Sequence, residues 1–316
     1  VSDAELSGYA SQVLADDAEH YWRFSDPDTT TAGDWAGSSD LAIRGTVTPS
    51  AGAILSDADT AKTFDSGAFA ATTIPVSGPD TFTAESWVKT TSTAGGKIIG
   101  FGNSATGNSG SYDRHVYMDN SGRIWFGVYP GGVRTVNSSA GYNDGQWHHI
   151  VASMSSDGMK LYIDGKRVAQ RVDTTSGQGY TGYWRVGGDN IGGWPNQPSS
   201  RHLSGTIDDV AVYGEALTLL DIQKHYRASG RTLDVPDAPA DAYGALVYNA
   251  EPDLYWRYGE TSGLNVADSG ISGQPGAIAG TVTRNVPGAI AGTTNPAISL
   301  SGSSNVYSMG QFGTPS

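Results

Sequence analysis

Acidic residues recur at two places where the neighbouring sequence drifts. Asp26 and Asp34 follow the phrase EHYWRFS (19–25), and Glu260 and Asp268 stand at the matching places after DLYWRYG (253–259). The tetrapeptide IDDV adds Asp208 and Asp209 on an expected strand. A hard cation such as calcium needs several carboxylate and carbonyl oxygens to converge, and the loops after the first phrase are rich in both. The acids at these places are therefore candidates for holding such an ion. The competing reading is that these acids cap turns, a common role of Asp in loops.

A second set of residues suits a polyhydroxylated ligand. The loop GGDNIGGWPNQPSSRHLSG (187–205) carries Asn190, Trp194, Asn196, Arg201 and His202, and the loop GNSATGNSGSYDRH (102–115) offers Tyr112, Asp113 and Arg114. Sugar recognition wants an aromatic face against C–H groups and planar amide, carboxylate or guanidinium partners for hydroxyls. Trp194 has a rival role as a lid packed on the fold, holding its long loop in place. Trp22, Trp87, Trp125, Trp147 and Trp184 lie in expected strands and read as packing residues.

Catalytic apparatus is not visible. The chain has six Glu, no G-x-S-x-G elbow, no H-E-x-x-H and no P-loop, and it lacks the E-x-D-x-x-E strand of concanavalin-like glucanases. His148 and His149 are adjacent, so in a strand they point to opposite faces and cannot chelate one zinc ion. Asn137-Ser138-Ser139 is a formal glycosylation triplet, a pattern that arises often by chance.

The elements that must position these residues are strands. Forty-three Gly, 16 Tyr and 8 Trp, with charged residues at only 16%, favour strands and turns over helices. The segments FTAESWVK (82–89), KIIGFG (97–102), HVYMD (115–119) and RIWFGVY (123–129) are short aromatic and β-branched runs bounded by Gly, Ser and Asn. Two hairpins are expected, around SSDG (155–158) and around Asp164-Gly165, the latter suited to a type I′ turn. Regularly spaced short strands imply an all-β sandwich or jelly roll. Leu6, Tyr9, Val13 and Leu14 predict a short helix before the first strand, and Leu217, Leu220, Ile222 and Tyr226 a terminal one with Thr218 and Asp221 as its capping pair.

The phrase repeat extends to a domain-length duplication. Tyr9 and Tyr21 match Tyr243 and Tyr255 at a shift of 234, while GTVT recurs from 45 to 280 and GAI from 52 to 288. The expected organisation is a complete domain over 1–230, a Pro-rich acidic linker over 231–240, and the opening part of a second copy over 241–316. A sandwich lacking most of its strands leaves open edges, so the second copy is expected to need completion from elsewhere, including by self-association. With Val1 opening into a polar stretch, the chain reads as a mature or excised piece of something longer.

Taken in order, DGQWHHIVASM, MKLYIDGKRVA, WRVGGDN and GTIDDVAVYGEALT with its short helix resemble the bacterial laminin-G-like, concanavalin A-like jelly-roll family over residues 8–229. The resemblance implies a two-sheet antiparallel jelly-roll sandwich with short N- and C-terminal helices. It also implies tandem use in secreted or surface-attached bacterial proteins, glycan or surface-protein ligands, and a structural calcium ion near the junction of first and last strands, which matches Asp26, Asp34 and Asp208 as its ligands, with Ser25 or Asp209 in reserve. The expected function is a non-catalytic extracellular binding or adhesion module. The rivals are a purely structural stalk or filament repeat and an accessory domain of a secreted carbohydrate-active enzyme. A net charge of -13 disfavours nucleic acid and anionic membranes, no apolar run is long enough for insertion, and the absence of Cys removes disulfide and thiolate chemistry.

Overall fold

The computed structural model describes residues 7–308, and the chain divides into two compact units, one of Val1–Leu217 with Asp221–Leu233 and one of Asp234–Ser316 with Thr218–Leu220. The first unit is a sandwich of two antiparallel sheets. One sheet runs in the order β15 (Lys166–Arg171), β14 (Gly158–Ile163), β13 (Trp147–Ser155), β8 (Phe82–Lys89), β17 (Gly205–Tyr213), β5 (Thr60–Phe64) and β4 (Val47–Ala51), with β1 (Ala18–Trp22) also on β17. The other runs β12 (Arg134–Asn137), β11 (Ile124–Val128), β10 (Tyr112–Met118), β9 (Gly96–Gly102), β16 (Thr181–Val186), β6 (Phe69–Thr72), β3 (Leu41–Arg44) and β2 (Thr31–Ala32), with β7 (Val76–Ser77) on β16. Neighbours far apart in sequence, such as β8 with β17 and β9 with β16, are the signature of a jelly roll rather than a meander.

Alternation along the strands builds the core. Phe82, Ala84 and Val88 of β8, Val116 and Met118 of β10, Ile124, Phe126 and Val128 of β11, and Trp184 and Val186 of β16 point between the sheets and are buried together. The intervening residues face outward, and the two outer faces are covered differently. Over the eight-stranded sheet lie α1 (Gly8–Ala15), capped by Ser7 on the Ala10 N–H, and α2 (Leu219–Ala228). Over the nine-stranded sheet lies the long loop 187–204. Leu6 of the expected first helix is outside the described residues. The hairpin at Asp164-Gly165 has positive φ at both positions (52° and 74°), as a type I′ turn requires.

Two bulges redirect side chains. Register shifts between Asp113 and Val116 in β10 and between Asp208 and Ala211 in β17, where Arg114 and Asp209 both take φ of 43°. The bulge in β10 turns Asp113 and Arg114 to one side, and that in β17 leaves Asp208 and Asp209 both on the side away from the core residues Ile207 and Val210, against simple alternation.

The second unit holds α3 (Ala242–Asn249), a sheet of β18 (Asn265–Val266), β19 (Gly276–Ala279) and β22 (Asn305–Ser308), and a ribbon of β20 (Val282–Val286) with β21 (Ala297–Leu300). Here the phrase DLYWRYG forms no strand, unlike its counterpart in β1. Only an isolated bridge joins Trp256 to Asp268.

Candidate functional site

The outer face of the nine-stranded sheet collects charged side chains under a braced loop. Lys97 from β9, His115 from β10, Arg185 from β16 and Asp189 just beyond β16 are all buried to 1% exposure or less. The ammonium of Lys97 stands 3.6 Å from Asp189 Oδ2, and Arg185 Nη1 stands 3.8 Å from Asp189 Oδ1. The Ser109 N–H donates to Asp189 Oδ1 at 2.9 Å, and Arg185 donates to the carbonyls of Ser104 and Gly107. What remains unpaired is notable for a buried set: Lys97 Nζ, Arg185 Nε, Asp189 Oδ2 and both ring nitrogens of His115 have no hydrogen-bond partner. Buried polar atoms are normally paired, at about 90% or more.

Burial pushes the Lys97 amine down to about 8, Asp189 opposing the fall and Arg185 adding to it. Burial, followed by the charge on Lys97, also drives His115 well below its ordinary range, so its ring is neutral. Two cations thus face one carboxylate. The set offers donors from Lys97 and Arg185, an acceptor on Asp189, and a neutral imidazole that provides one of each.

An aromatic wall closes this face. Trp194 lies edge-on to His115 with ring centroids 4.0 Å apart, and Tyr117 and Trp125 stack at 6.0 Å beside it. Gly127 makes room for the indole, since a Cβ there would lie 2.4 Å from Trp194 Cζ3. The loop is pinned along its length. Tyr117 donates to the Pro195 carbonyl at 2.6 Å, Tyr112 to that of Gly192 at 2.8 Å, and the Leu203 N–H to that of Gly187 at 2.8 Å.

The residues expected to bind a ligand separate into four groups. Trp194, 6% exposed, packs as the lid of its own loop, as the rival reading held. Asn190 is half-buried and ties the loop to Ser109 O at 3.1 Å and to the Gly192 N–H at 3.2 Å, with Tyr112 beside it. Asn196 and Arg201 are exposed on the loop, and His202, half-buried, bridges to Lys97 and Gly188. Asp113 and Arg114 point elsewhere. The bulge in β10 turns them inward, where Arg114 bonds Asp113, Pro79 O and Gln178 O, and Asp113 also takes the Tyr129 and Gln178 N–H groups. Their hydrogen bonds run to the protein's own groups. Lys97, His115, Arg185 and Asp189 are not among the expected site residues, although Lys97 and Arg185 are each the one charge of an otherwise uncharged strand.

The three expected metal ligands do not share a centre. Asp34 accepts backbone N–H groups from Tyr21, Ala36, Gly37 and Ser39 and pairs with His20 Nδ1 at 2.7 Å, which together with burial-opposed hydrogen bonding holds its carboxyl below the ordinary value. Asp26 accepts the Gly33 N–H at 3.1 Å, and its carbonyl takes the Lys62 ammonium. Asp208 accepts the Ala53 N–H at 2.6 Å. The positive charge between first and last strands is Arg23, with Asp57 at 2.6 Å, Asp59 at 2.5 Å and Asp209 at 3.9 Å. Reserve ligand Asp209 is further engaged by the Tyr21 hydroxyl. Among the described residues, no group of three or more His, Asp or Glu is placed to hold a metal ion. These side chains therefore do not fit a calcium ion, and the guanidinium takes the central place.

Two facing antiparallel sheets with jelly-roll crossovers define the class as a concanavalin A-like sandwich. The family model described as the concanavalin A-like lectin/glucanases superfamily matches residues 62–223, and the chain belongs to that family. No curated protein matches. Among solved structures, domain 4 of the extracellular arabinanase AbnA from Geobacillus stearothermophilus, solved with arabinotriose, is 16% identical over 66% of this chain and 98% of its own, with a TM-score of 0.47. The sialidase of Trypanosoma rangeli is 14% identical over 66% of this chain and only 32% of its own, with a TM-score of 0.47. The receptor binding domain of botulinum neurotoxin mosaic serotype C/D is 16% identical over 84% of this chain and 66% of its own, at 0.48. No helix among the described residues is long and apolar enough to cross a membrane.

Proposed function

We propose that the first unit is a non-catalytic, extracellular binding module that recognises glycans through the outer face of the nine-stranded sheet. The observation that carries this reading is the buried, under-bonded set of Lys97, His115, Arg185 and Asp189 behind Tyr112 and Trp194. A sugar hydroxyl both donates and accepts, so it matches a set in which ammonium donors, a carboxylate acceptor and a neutral imidazole all have free valences. The braced loop keeps the exposed Asn196 and Arg201 in place at the rim, which limits the ordering cost of binding. Membership of a lectin and glucanase family is consistent with such a ligand.

Catalysis is disfavoured by the donor set itself. A glycosidase needs two carboxyl groups across the scissile bond. Asp189 is the carboxylate with a free oxygen here, while neighbouring Asp113 is filled by Arg114, Tyr180 and two backbone N–H groups.

Titration of the full chain with a panel of neutral and acidic polysaccharides tests this reading. Binding should appear for at least one class and fall at least tenfold in Lys97→Met and in Asp189→Asn, with the fold intact by circular dichroism. No binding across the panel, or binding untouched by both substitutions, overturns it.

A further inference from the structure

On the same outer face of the nine-stranded sheet, a row of guanidinium groups gathers where β3, β6 and β16 run side by side. Residues directly opposite one another on paired antiparallel strands share a face, as do residues two apart on one strand. Arg44 lies opposite Phe69, Ala42 opposite Ala71, and Ala71 opposite Arg185. Arg44, Phe69 and Arg185 therefore stand on one face, with only the small side chains of Ala42 and Ala71 between their rows. The Phe69 ring is half-buried and takes the Arg185 guanidinium at 4.2 Å and the His202 imidazole at 6.0 Å, tilted by 37°. His202 arrives from the long loop, which is anchored beside it, since the N–H groups of Lys97 and Asp189 both donate to the Arg201 carbonyl at 3.4 Å. That bond pair fixes the base of Arg201, whose side chain is exposed next to His202.

The charges of this patch do not balance. Burial lowers the pKa of Arg185, with Asp189 opposing the fall and Arg44 adding to it. Burial also lowers that of His202, Arg185 and Arg201 adding to the fall against Asp189, so the imidazole is neutral. Three guanidinium groups thus share the field of one carboxylate, Asp189, which faces Lys97 as well. Among the described residues no acid pairs with Arg44 or Arg201, and the buried Arg185 Nε has no hydrogen-bond partner. This surplus stands in a chain whose net charge is -13.

We propose that the patch is a subsite for an acid group: a glycan bound on this face presents an anionic substituent, a uronate carboxylate or a sulfate ester, to Arg44 and Arg201 above the Phe69 ring. The inference rests on the reading of this face as a glycan surface and adds the chemical class of the glycan. Two exposed guanidinium forks match the oxygens of a carboxylate or sulfate, and the half-buried ring offers apolar surface to the C–H groups of the same sugar. Arg185 contributes through its charge from beneath, its own Nη1 being committed to the carbonyls of Ser104 and Gly107. Elsewhere the negative charge of the chain repels a polyanion, which steers an acidic polymer to this patch.

Calorimetric titration of the full chain with polygalacturonate, its methyl ester, dextran sulfate and dextran tests the assignment. At least one acidic polymer should bind about tenfold or more tightly than its uncharged counterpart, and which one does so tells carboxylate from sulfate. That binding should fall about tenfold or more in Arg44→Glu/Arg201→Glu and stay within about twofold in Lys166→Glu/Lys224→Glu, an equal change of net charge at exposed positions of β15 and α2. Equal binding of charged and uncharged polymers, or an equal loss in the two double variants, overturns the acid subsite; if Lys97→Met then still abolishes binding, the glycan surface itself stands. Silence toward all four polymers, with binding elsewhere in the wider panel, likewise overturns the acid subsite alone. Acidic binding that needs Arg44 and Arg201 but is untouched by Lys97→Met upholds the subsite and removes the buried set from the ligand.

Discussion

The two outer faces of the first unit bury charge to the same depth and treat it in opposite ways. On the eight-stranded sheet, Glu85 uses both oxygens: Oε1 accepts from Tyr9 at 2.7 Å and meets His149 Nε2 at 2.6 Å, while Oε2 accepts from Tyr213 at 2.8 Å and meets His225 Nδ1 at 3.0 Å. His225 is held from its other side by Asp16 at 2.9 Å. One carboxylate thereby fastens α1 and α2 to the sheet. On the nine-stranded sheet, Lys97, His115, Arg185 and Asp189 are as deeply buried but keep free valences. A saturated buried network specifies structure, whereas an unsaturated one costs stability that only a ligand or water can return. Burial alone does not distinguish a latch from a site; the filling of the carboxylate does, since both oxygens of Glu85 are bonded, even though His149 Nδ1 beside it has no partner, while Asp189 Oδ2 has none.

Substitution at Glu85 should break the comparison most strongly. Glu85→Ala leaves His225 charged and buried beside two tyrosine hydroxyls without acceptors, and it should lower stability by about 3–5 kcal/mol. Urea unfolding measures this, and a loss below about 1 kcal/mol would remove the latch role. Next in size is Trp194→Ala, which opens a hole above His115 and should cost about 3 kcal/mol, since large-to-small changes at buried aromatics run to about 3–5 kcal/mol. A near-neutral Trp194→Ala with unchanged His115 environment would show that the loop is not braced by its indole. Lys97→Met should behave unlike Glu85→Ala. It removes a surplus cation and leaves Arg185 with Asp189, so stability should stay level or rise by about 1 kcal/mol while ligand binding disappears.

Alkaline pH separates the two faces by sign. Burial opposes the His225 charge, but Glu85 and Asp16 lift its pKa from 6.5 to about 10. The folded state therefore holds the extra proton, so this contribution is complete below pH 6.5 and is lost as pH rises through about 10. Lys97 runs the other way, from 10.5 down to about 8, so the unfolded chain holds the extra proton and stability rises between those values. Unfolding free energy should decline above pH 6.5 and decline more steeply above pH 8 in Lys97→Met, where the opposing contribution is gone. Parallel profiles for the two proteins would show that Lys97 is not buried as a cation. Glu85 is held well below its ordinary value by His225 and His149 against the pull of burial, so acid dissolves the latch only as pH falls through that depressed value.

Much of the fold was legible because its signals are local. Asp164-Gly165 fixes a turn by backbone conformation, alternation fixes which face of β8 or β11 enters the core, and the spacing of Leu217, Ile222 and Tyr226 gives α2. The site was legible only in outline. Asp113 and Arg114 looked like loop-edge ligands because alternation cannot foresee a bulge that turns both inward. Lys97, His115 and Arg185 carried no local signal of burial, since the loop that covers them comes from residues 187–204. Whether a strand charge is exposed depends on what lies over the sheet, and that is a tertiary fact. The matching phrases were visible in the sequence, but the exposure of Tyr243 and Leu300, where Tyr9 and Phe64 are buried, is set by packing.

The junction of first and last strands supplies the smallest expected effect and a sharper form of the same contrast. Four acids gather there, Asp57, Asp59, Asp208 and Asp209, around Arg23, and burial with the neighbouring charge of Asp59 raises Asp208 to about 7 even though the Ala53 N–H holds it down. Arg23 is a cation that cannot leave, so added calcium has no vacancy to fill and chelator or excess calcium should shift the melting temperature by less than about 1 °C. Arg23→Gln removes that cation and leaves the carboxylates facing one another. The variant should be destabilised without calcium and regain part of the loss with it, by roughly 3 kcal/mol if the ion reaches about a hundredfold excess over its dissociation constant. A calcium-dependent shift of several degrees in the unsubstituted chain would place the ion beside Arg23 rather than in its stead. The carboxylates would then have oxygens to spare, and the junction would join the Lys97 face as an unsaturated network rather than the Glu85 face as a saturated one.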